Sequence, residues 1–368
     1  MRVLLLDATL ACMDIYEALK TRCSVVYTMG NRADDFLALV NSDHHIIADY
    51  SQTLLVRNTI DKLGIDVVIP GCTDQSLKTA ASVSDNIDLA LHANAVNYCL
   101  DKELLYGLFK NINVTYPRKY KPRDNVANVI VKPVDSYSGR GITVVNPKNK
   151  KAFLSAKSIA MEHSVSGKIT VDHFIDGTLV SFSIIMGPKG ITLLSFVEEH
   201  CVYSKYKVDH SFCRPLTELE SHASLTADLD KIRSHLKPKK NVFLHFQAIK
   251  TSNMIYIIEM MMRHPGDLYS SLVKKSTGTD YASHYVDTFL SNQLELPCVS
   301  SNANNKPVLR QTLNDNKILS VFKIDCRDKR SVEVLPMKKV GMGAENNERF
   351  AIVFHHFNKV EHMRKFIG

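Results

Sequence analysis

Two stretches of the chain hold residues whose types and spacing could do chemistry. In VIVKPVDSYSGRGITVV, Val129 to Val145, one lysine ends an apolar run, a loop of small residues follows, and a second apolar run begins. A cation at the end of a buried strand calls for an anion, and Pro133 blocks further regular pairing. Gly139 and Gly141 allow backbone N–H groups to approach and wrap a phosphate. Spacing alone leaves two readings open for Lys132, a phosphate cradle or the rim of a glycine hairpin, because the motif is neither a Walker loop nor a Rossmann turn. In FLHFQAIKTSNMIYIIEMMMRHPGD, Phe243 to Asp267, two apolar strands flank the polar turn KTSN. Glu259 follows IYII and so stands at the mouth of a buried strand, where a carboxylate is paired with a cation or coordinates a metal. Gln247 lies on the partner strand, within reach if the hairpin closes at the turn.

Such residues need a scaffold. At 368 residues and 45% hydrophobic, the chain exceeds the size at which one core stops growing, and two or three packed units are expected. RVLLLDA, SVVYTMG, HHIIADY and DVVIPGC read as strands alternating with the helices MDIYEALKTRC, TLLVRNTIDKLG and DQSLKTAASVSD, a doubly wound α/β unit. The turn DATLAC after the first strand lacks the G-x-G-x-x-G fingerprint, which argues against a dinucleotide there. Beyond about residue 100 the runs NVIVKPV, GITVV, KITVDHFI, LVSFSIIM and ITLLSFVEEH imply antiparallel sheets, with GPKG at Gly187–Gly190 as a hairpin turn. SSNANNKP reads as a linker into a C-terminal unit with β signals in PVLRQTL, ILSVFKID and FAIVFHHF.

Composition excludes several function classes. The eight cysteines are scattered without a C-x-x-C pair, against a zinc ribbon or a disulfide framework. No run approaches a membrane span, and Asp7 interrupts the N-terminal apolar stretch, so no signal peptide or membrane partner is expected and the cytoplasm is the default location. The formal charge of +8 comes without a Lys/Arg run of the usual length, KPKK being short, so no nucleic-acid partner is expected; a pocket for small polyanions explains the excess.

Together these blocks resemble the ATP-grasp superfamily, in the branch with biotin carboxylase and the carbamoyl-phosphate synthetase large chain. The resemblance runs over LDKELLYGLFKNINVTYP, the lysine and glycine loop, the strand ITVDHFIDG and the terminal IIEMMMRHPGD. It implies an α/β and α+β chain: a doubly wound pre-ATP-grasp domain at 1–98, a two-lobed ATP-grasp domain at 99–299 whose lobes meet near 172–178, and a small β-rich C-terminal subdomain at 300–368. Its cofactors would be ATP and Mg²⁺. Carried over by motif, Lys102 and Lys132 point at the phosphates, Ser138, Gly139 and Gly141 close over them, and the backbone at His173 and Ile175 meets the adenine. Asp172 stands where the family usually has glutamate. Glu259 and Gln247 would hold the metal, and Arg263 would donate to phosphate or to a carboxylate substrate.

The resemblance further implies an ADP-forming ligase: a carboxylate attacks the γ-phosphate to give an acylphosphate, and an amine or another nucleophile displaces phosphate. Arg214 and Arg310 are candidates to grip the carboxylate because a guanidinium binds it bidentately, and Asp209 or His210 to accept the amine's proton. The partners would be small-molecule carboxylate and amine substrates, and relatives of this layout are commonly homodimers. The chain departs from the family at Gln247 and Met261, where acids or amides are usual, and near Leu179, where an acid often meets the ribose. A thioether does not serve a hard cation. A second reading is therefore a nucleotide-binding regulator of the same fold that has lost catalysis, and a third is carboxyphosphate chemistry with bicarbonate.

Overall fold

A computed structural model of the chain describes residues 1–83, 95–136, 139–203, 205–291, 294–299, 305–314, 331–336 and 349–367. Ser138, most of the linker SSNANNKP and the run ILSVFKID lie outside the described residues. The first unit is a parallel sheet in the order β3-β2-β1-β4, from β1 (Arg2–Leu6), β2 (Val25–Gly30), β3 (His45–Ile47) and β4 (Val67–Pro70). Leu4 and Leu6 pack with Met29, Val56 and Val68 on one side, whereas Val3, Leu5 and Ile69 join a core on the other. Burial on both faces explains why these strands read as unbroken apolar runs.

A three-stranded antiparallel sheet, β6-β5-β7, comprises β5 (Val129–Pro133), β6 (Thr143–Val145) and β7 (Ile169–His173). Alternation along β5 and β7 decides what each face carries. Val129, Val131, Ile169 and Val171 pack with Ala156 and Ala160 of the helix Lys150–Glu162. Lys132, Thr170 and Asp172 therefore occupy the other face.

The largest sheet has eight strands: β8 (Thr178–Gly187), β9 (Gly190–His200), β10 (His210–Cys213), β11 (Val242–Lys250), β12 (Ile255–Met261), β13 (Val308–Asn314), β14 (Ser331–Pro336) and β15 (Arg349–His356). Their order is β12-β11-β8-β9-β10-β13-β15-β14. The turn at Gly187 and Gly190 closes β8 on β9, and KTSN closes β11 on β12. The strands of the expected β-rich C-terminal subdomain extend this sheet, β13 pairing with β10. Four-residue β10 lies inside a stretch of mixed charges and aromatics that hides its period, so the joining strand leaves little trace in the sequence.

One face of this sheet buries Phe182, Phe196, Phe246 and Met260 against the helices Lys102–Ile112, Leu216–Glu220 and Ala223–Leu236. The opposite face carries Ser181, Glu199, Gln247 and Glu259. Farther along it, Ile185, Val197 and Phe243 pack with the helices Tyr269–Thr277 and Tyr281–Leu290 and with the core of the first unit. Tyr285 ties the two units, its hydroxyl donating to the Pro70 carbonyl at 2.7 Å. Among the described residues no helix is long and apolar enough to cross a membrane.

Candidate functional site

The helix Lys102–Ile112 starts at Asp101, whose side chain accepts from the amides of Glu103 and Leu104 at 2.7 and 3.1 Å, an N-cap that fixes the first turn. Leu105, Leu108 and Phe109 are buried, and one turn's spacing leaves Lys102 and Tyr106 side by side on the remaining face. Lys102 Nζ lies 3.2 Å from Glu259 Oε1. The Tyr106 hydroxyl accepts from Lys132 Nζ at 3.1 Å and donates to the Ile258 carbonyl at 3.4 Å. That carbonyl is available because β12 bulges: Gln247 pairs with Glu259 and Ala248 with Ile257, which leaves Ile258 over. A bulge beside a site re-aims the neighbouring side chain, here Glu259.

Lys132 sits 3.0 Å from Asp172 Oδ2, with Asp172 at 0% exposure and its other oxygen accepting from Thr170 at 2.8 Å. Burial opposes a charge on Lys132, but Tyr106 and Asp172 outweigh it and hold the ammonium above its ordinary value. Of its three N–H donors, the Tyr106 hydroxyl takes one, and Asp172 faces the ammonium as its counter-ion. Burial likewise opposes ionisation of Glu259, yet Lys102, Arg263 and Lys132 hold its carboxyl below the usual range. Two cations and a carboxylate from three separate elements thus converge at one point, bridged by Tyr106. The sequence reading missed Tyr106; the only signal for it was its place four residues after Lys102.

The glycine loop is constrained by its neighbours. Gly139 and Gly141 have φ of 72° and 73°, the left-handed region that favours glycine. A Cβ on Gly139 would collide with the Tyr206 carbonyl, and one on Gly141 would come within 2.7 Å of His163 Cβ. Tyr206 also accepts from the Val144 amide through its hydroxyl at 3.1 Å. The loop after β9 therefore rests on the glycine loop.

Other expected residues fall differently. Asp172, expected at the nucleotide, is fully buried between Lys132 and Thr170. His173 spends its amide on the Arg118 carbonyl at 2.8 Å and its ring on Asp124 at 2.8 Å; Ile175 is half-buried in the connection from β7 to β8. Arg263 joins β12 to the first unit, its Nε 2.6 Å from Asp74 Oδ1. Asp209 accepts from the amides of Val202 and Tyr203 and from His210 at 2.6 Å, so the proposed proton acceptors shape the loop after β9. Arg214 is bound to Glu198 at 2.9 Å and to Glu218 at 3.1 Å. Glu198 and Glu199 are adjacent on β9 and so face opposite ways, which puts Arg214 on the helix-covered face, away from Glu259.

Arg310 is on the same face as Glu199, since register aligns Glu199 with Ser211 and Ser211 with Arg310. It is fully buried, donating to the Asp267 carbonyl at 2.6 Å, Ser211 at 2.8 Å and Thr312 at 2.6 Å. Asp267 and Leu268 both have left-handed φ, 61° and 57°, a strained pair for residues other than glycine. Arg310 clamps the first, and burial holds the second. Arg310→Lys should therefore destabilise the fold by about 2 kcal/mol or more, since an ammonium cannot reach all three acceptors and hydrogen bonds to charged groups are each worth about 1.5–3 kcal/mol; urea denaturation measures it. Tyr106→Phe, which strips a partner from both Lys132 and the Ile258 carbonyl, should cost about 1–2 kcal/mol by the same measurement.

Among the described residues no three His, Cys, Asp or Glu side chains gather at metal-ligand spacing. A hard cation here would have Glu259 and the amide oxygen of Gln247, on one face and in register, with phosphates and water completing its shell. That donor set fits one Mg²⁺ held largely by its substrate; the next pair in register, His245 and Met261, supplies no oxygen.

Lys102, Lys132 and Glu259 are thus gathered beside Tyr106, and comparison shows which known proteins share the fold that gathers them. Residues 99–220 match the family model of an ATP-grasp domain. An N5-carboxyaminoimidazole ribonucleotide synthetase in its ADP complex superposes with a TM-score of 0.74 at 14% identity, covering 100% of this chain and 96% of that one. An L-amino acid ligase from Bacillus licheniformis gives 0.73 at 14%, with 100% and 95% covered. The biotin carboxylase domain dimer of the Hydrogenobacter thermophilus 2-oxoglutarate carboxylase, with MgADP, ADP and bicarbonate, gives 0.68 at 11%, with 97% and 86% covered. At these identities the likeness is one of fold. No curated protein matches the chain by sequence.

Proposed function

We propose that this protein is an ADP-forming carboxylate–amine ligase that uses ATP and Mg²⁺. The observation that carries the reading is the convergence of Lys102, Lys132 and Glu259 around Tyr106. Lys132 is kept protonated inside the fold by Tyr106 and Asp172, as a lysine that meets a phosphoryl oxygen must be. Lys102 exchanges its Glu259 partner for phosphate once the carboxylate is engaged elsewhere. The Gly139–Gly141 turn covers the phosphates and excludes water, while the connection through His173 and Ile175 lies along the base.

Mg²⁺, held by Glu259 and Gln247, would supply charge neutralisation between the β- and γ-phosphates. The chain's own part is to keep Glu259 ionised and to aim it through the β12 bulge. Small-molecule carboxylates and amines are the substrates proposed; bicarbonate would be the smallest such carboxylate. Part of the same reading are the domain limits 1–98, 99–299 and 300–368, a homodimer like the biotin carboxylase domain, and a cytoplasmic setting, with which the disulfide-free described cysteines accord.

The second reading, a nucleotide-binding regulator without catalysis, draws on Gln247, Met261 and the complete burial of Arg310 among Asp267, Ser211 and Thr312, which draws it away from gripping a carboxylate. Calorimetric titration with ATP separates the possibilities at their first step. The ligase reading requires binding that strengthens with Mg²⁺; binding indifferent to the metal would sink it.

A further inference from the structure

Glu199 is a buried carboxylate that no step above uses. It is 5% exposed, on β9, and faces the same side of the sheet as Gln247 and Glu259. Its Oε2 accepts from Gln247 Nε2 at 2.7 Å, and its Oε1 from the Tyr269 hydroxyl at 2.7 Å. Burial pushes the carboxyl up, against the pull of Ser181, Tyr269, Gln247 and Arg310. The Arg310 guanidinium lies 5.2 Å from the centre of the Tyr269 ring, so the network runs from β13 across the sheet to Gln247.

A primary amide has a donor end and an acceptor end, and its neighbours decide which way round it sits. Both oxygens of Glu199 act as acceptors, so it demands the NH₂ group of Gln247 and turns the amide oxygen away from itself. Register places Gln247 directly opposite Glu259, where side chains of a cross-strand pair lie within reach of each other. The oxygen is the only end of an amide that a hard cation accepts.

We propose that Glu199 is a positioning residue that locks Gln247 with its oxygen presented to the metal, and so lets a neutral amide serve where a carboxylate would otherwise be needed. The proposal rests on the assignment of Glu259 and Gln247 as the metal-holding pair. It also changes what a substitution at Gln247 does. From sequence alone, Gln247→Glu is expected to preserve or improve the site, but in the structure it sets a second carboxylate at hydrogen-bond distance from the buried Glu199, and the change is productive only if Glu199 becomes the amide.

The test is Mn²⁺ binding, followed by electron paramagnetic resonance in the presence of a non-hydrolysable ATP analogue, together with analogue affinity without metal. Glu199→Gln keeps the shape but lets the amide of residue 247 turn either way. It should weaken Mn²⁺ binding by about 10- to 100-fold, the usual effect of losing a ligand's supporting partner, with metal-free affinity for the analogue unchanged. The double variant Glu199→Gln, Gln247→Glu restores one donor and one carboxylate in swapped positions, and should bind Mn²⁺ at least as tightly as the wild type. Wild-type Mn²⁺ affinity in the single variant overturns the proposal, as does a folded double variant that binds Mn²⁺ tenfold more weakly than wild type. Because the double keeps the hydrogen bond and the charge, it decides the matter even if the single variant does not fold. A wild-type protein that binds the analogue but no Mn²⁺ would instead remove the metal site, and this proposal with it.

Discussion

Lys132→Ala is expected to lose both ATP affinity and stability, and the two losses have separate causes. In the proposed site Lys132 would donate to phosphate, and a hydrogen bond from a charged donor is worth about 1.5–3 kcal/mol, so ATP should bind about 10- to 100-fold more weakly by calorimetry. The same change strands Asp172, which is fully buried and whose cation lies 3.0 Å away. Removing one partner of a buried pair costs about 3–5 kcal/mol, because the remaining charge is left uncompensated. The double variant Lys132→Met, Asp172→Asn removes both charges; it should recover most of the melting temperature and none of the affinity. ATP affinity unaffected by Lys132→Ala would show that the lysine is structural and that the phosphates lie elsewhere.

Glu259→Gln is expected to do the opposite, sparing the fold and ending the chemistry. Glu259 and Lys102 are each partly exposed, 30% and 25% in their side chains, and such a pair contributes under about 1 kcal/mol to stability. The carboxylate's charge is what a metal between phosphates needs, and metal charge stabilisation is worth several kcal/mol. Mg²⁺-dependent ADP formation should therefore fall by at least about 10²- to 10³-fold, while the melting temperature and metal-free nucleotide binding stay close to wild type. A parallel fall in nucleotide affinity without metal would mean that Glu259 acts by holding Lys102 rather than a cation.

Much of this architecture was legible because it is local. The apolar runs of the first unit, the glycine hairpin at Gly187 and the KTSN turn are each specified by neighbouring residues, and each lies where the pattern puts it. Lys132 and Glu259 were legible for a related reason: a charge at the end of an apolar run is a local anomaly. What the sequence hides is non-local. Nothing in HSFC announces a strand that joins β9 to β13, so the sequence does not show that the C-terminal strands extend the sheet of β8 and β9.

The same limit governs the site. Alternation shows that Glu198 and Glu199 part company, but which of them meets Gln247 depends on strand order across the sheet. Arg214 and Arg310 are both plausible grips by residue type; pairing sends one to the helix-covered face and buries the other in a clamp on Asp267. Tyr106 carries no chemical signature among the aromatics of its helix, and only the β12 bulge, itself a product of pairing, gives its hydroxyl an acceptor. Asp172 is the reverse case. Motif likeness sends it to the nucleotide, and its complete burial makes it the counter-ion that lets Lys132 stay charged.

Catalysis itself is tested by ADP release from ATP with pools of carboxylates and amines, with and without Mg²⁺. ADP should appear only when Mg²⁺ and a carboxylate are both present, and adding an amine should convert that carboxylate to its amide with one ADP per bond. No ADP with any carboxylate, from a protein that binds ATP equally well with and without Mg²⁺, would contradict the ligase assignment and leave a nucleotide-binding regulator in its place.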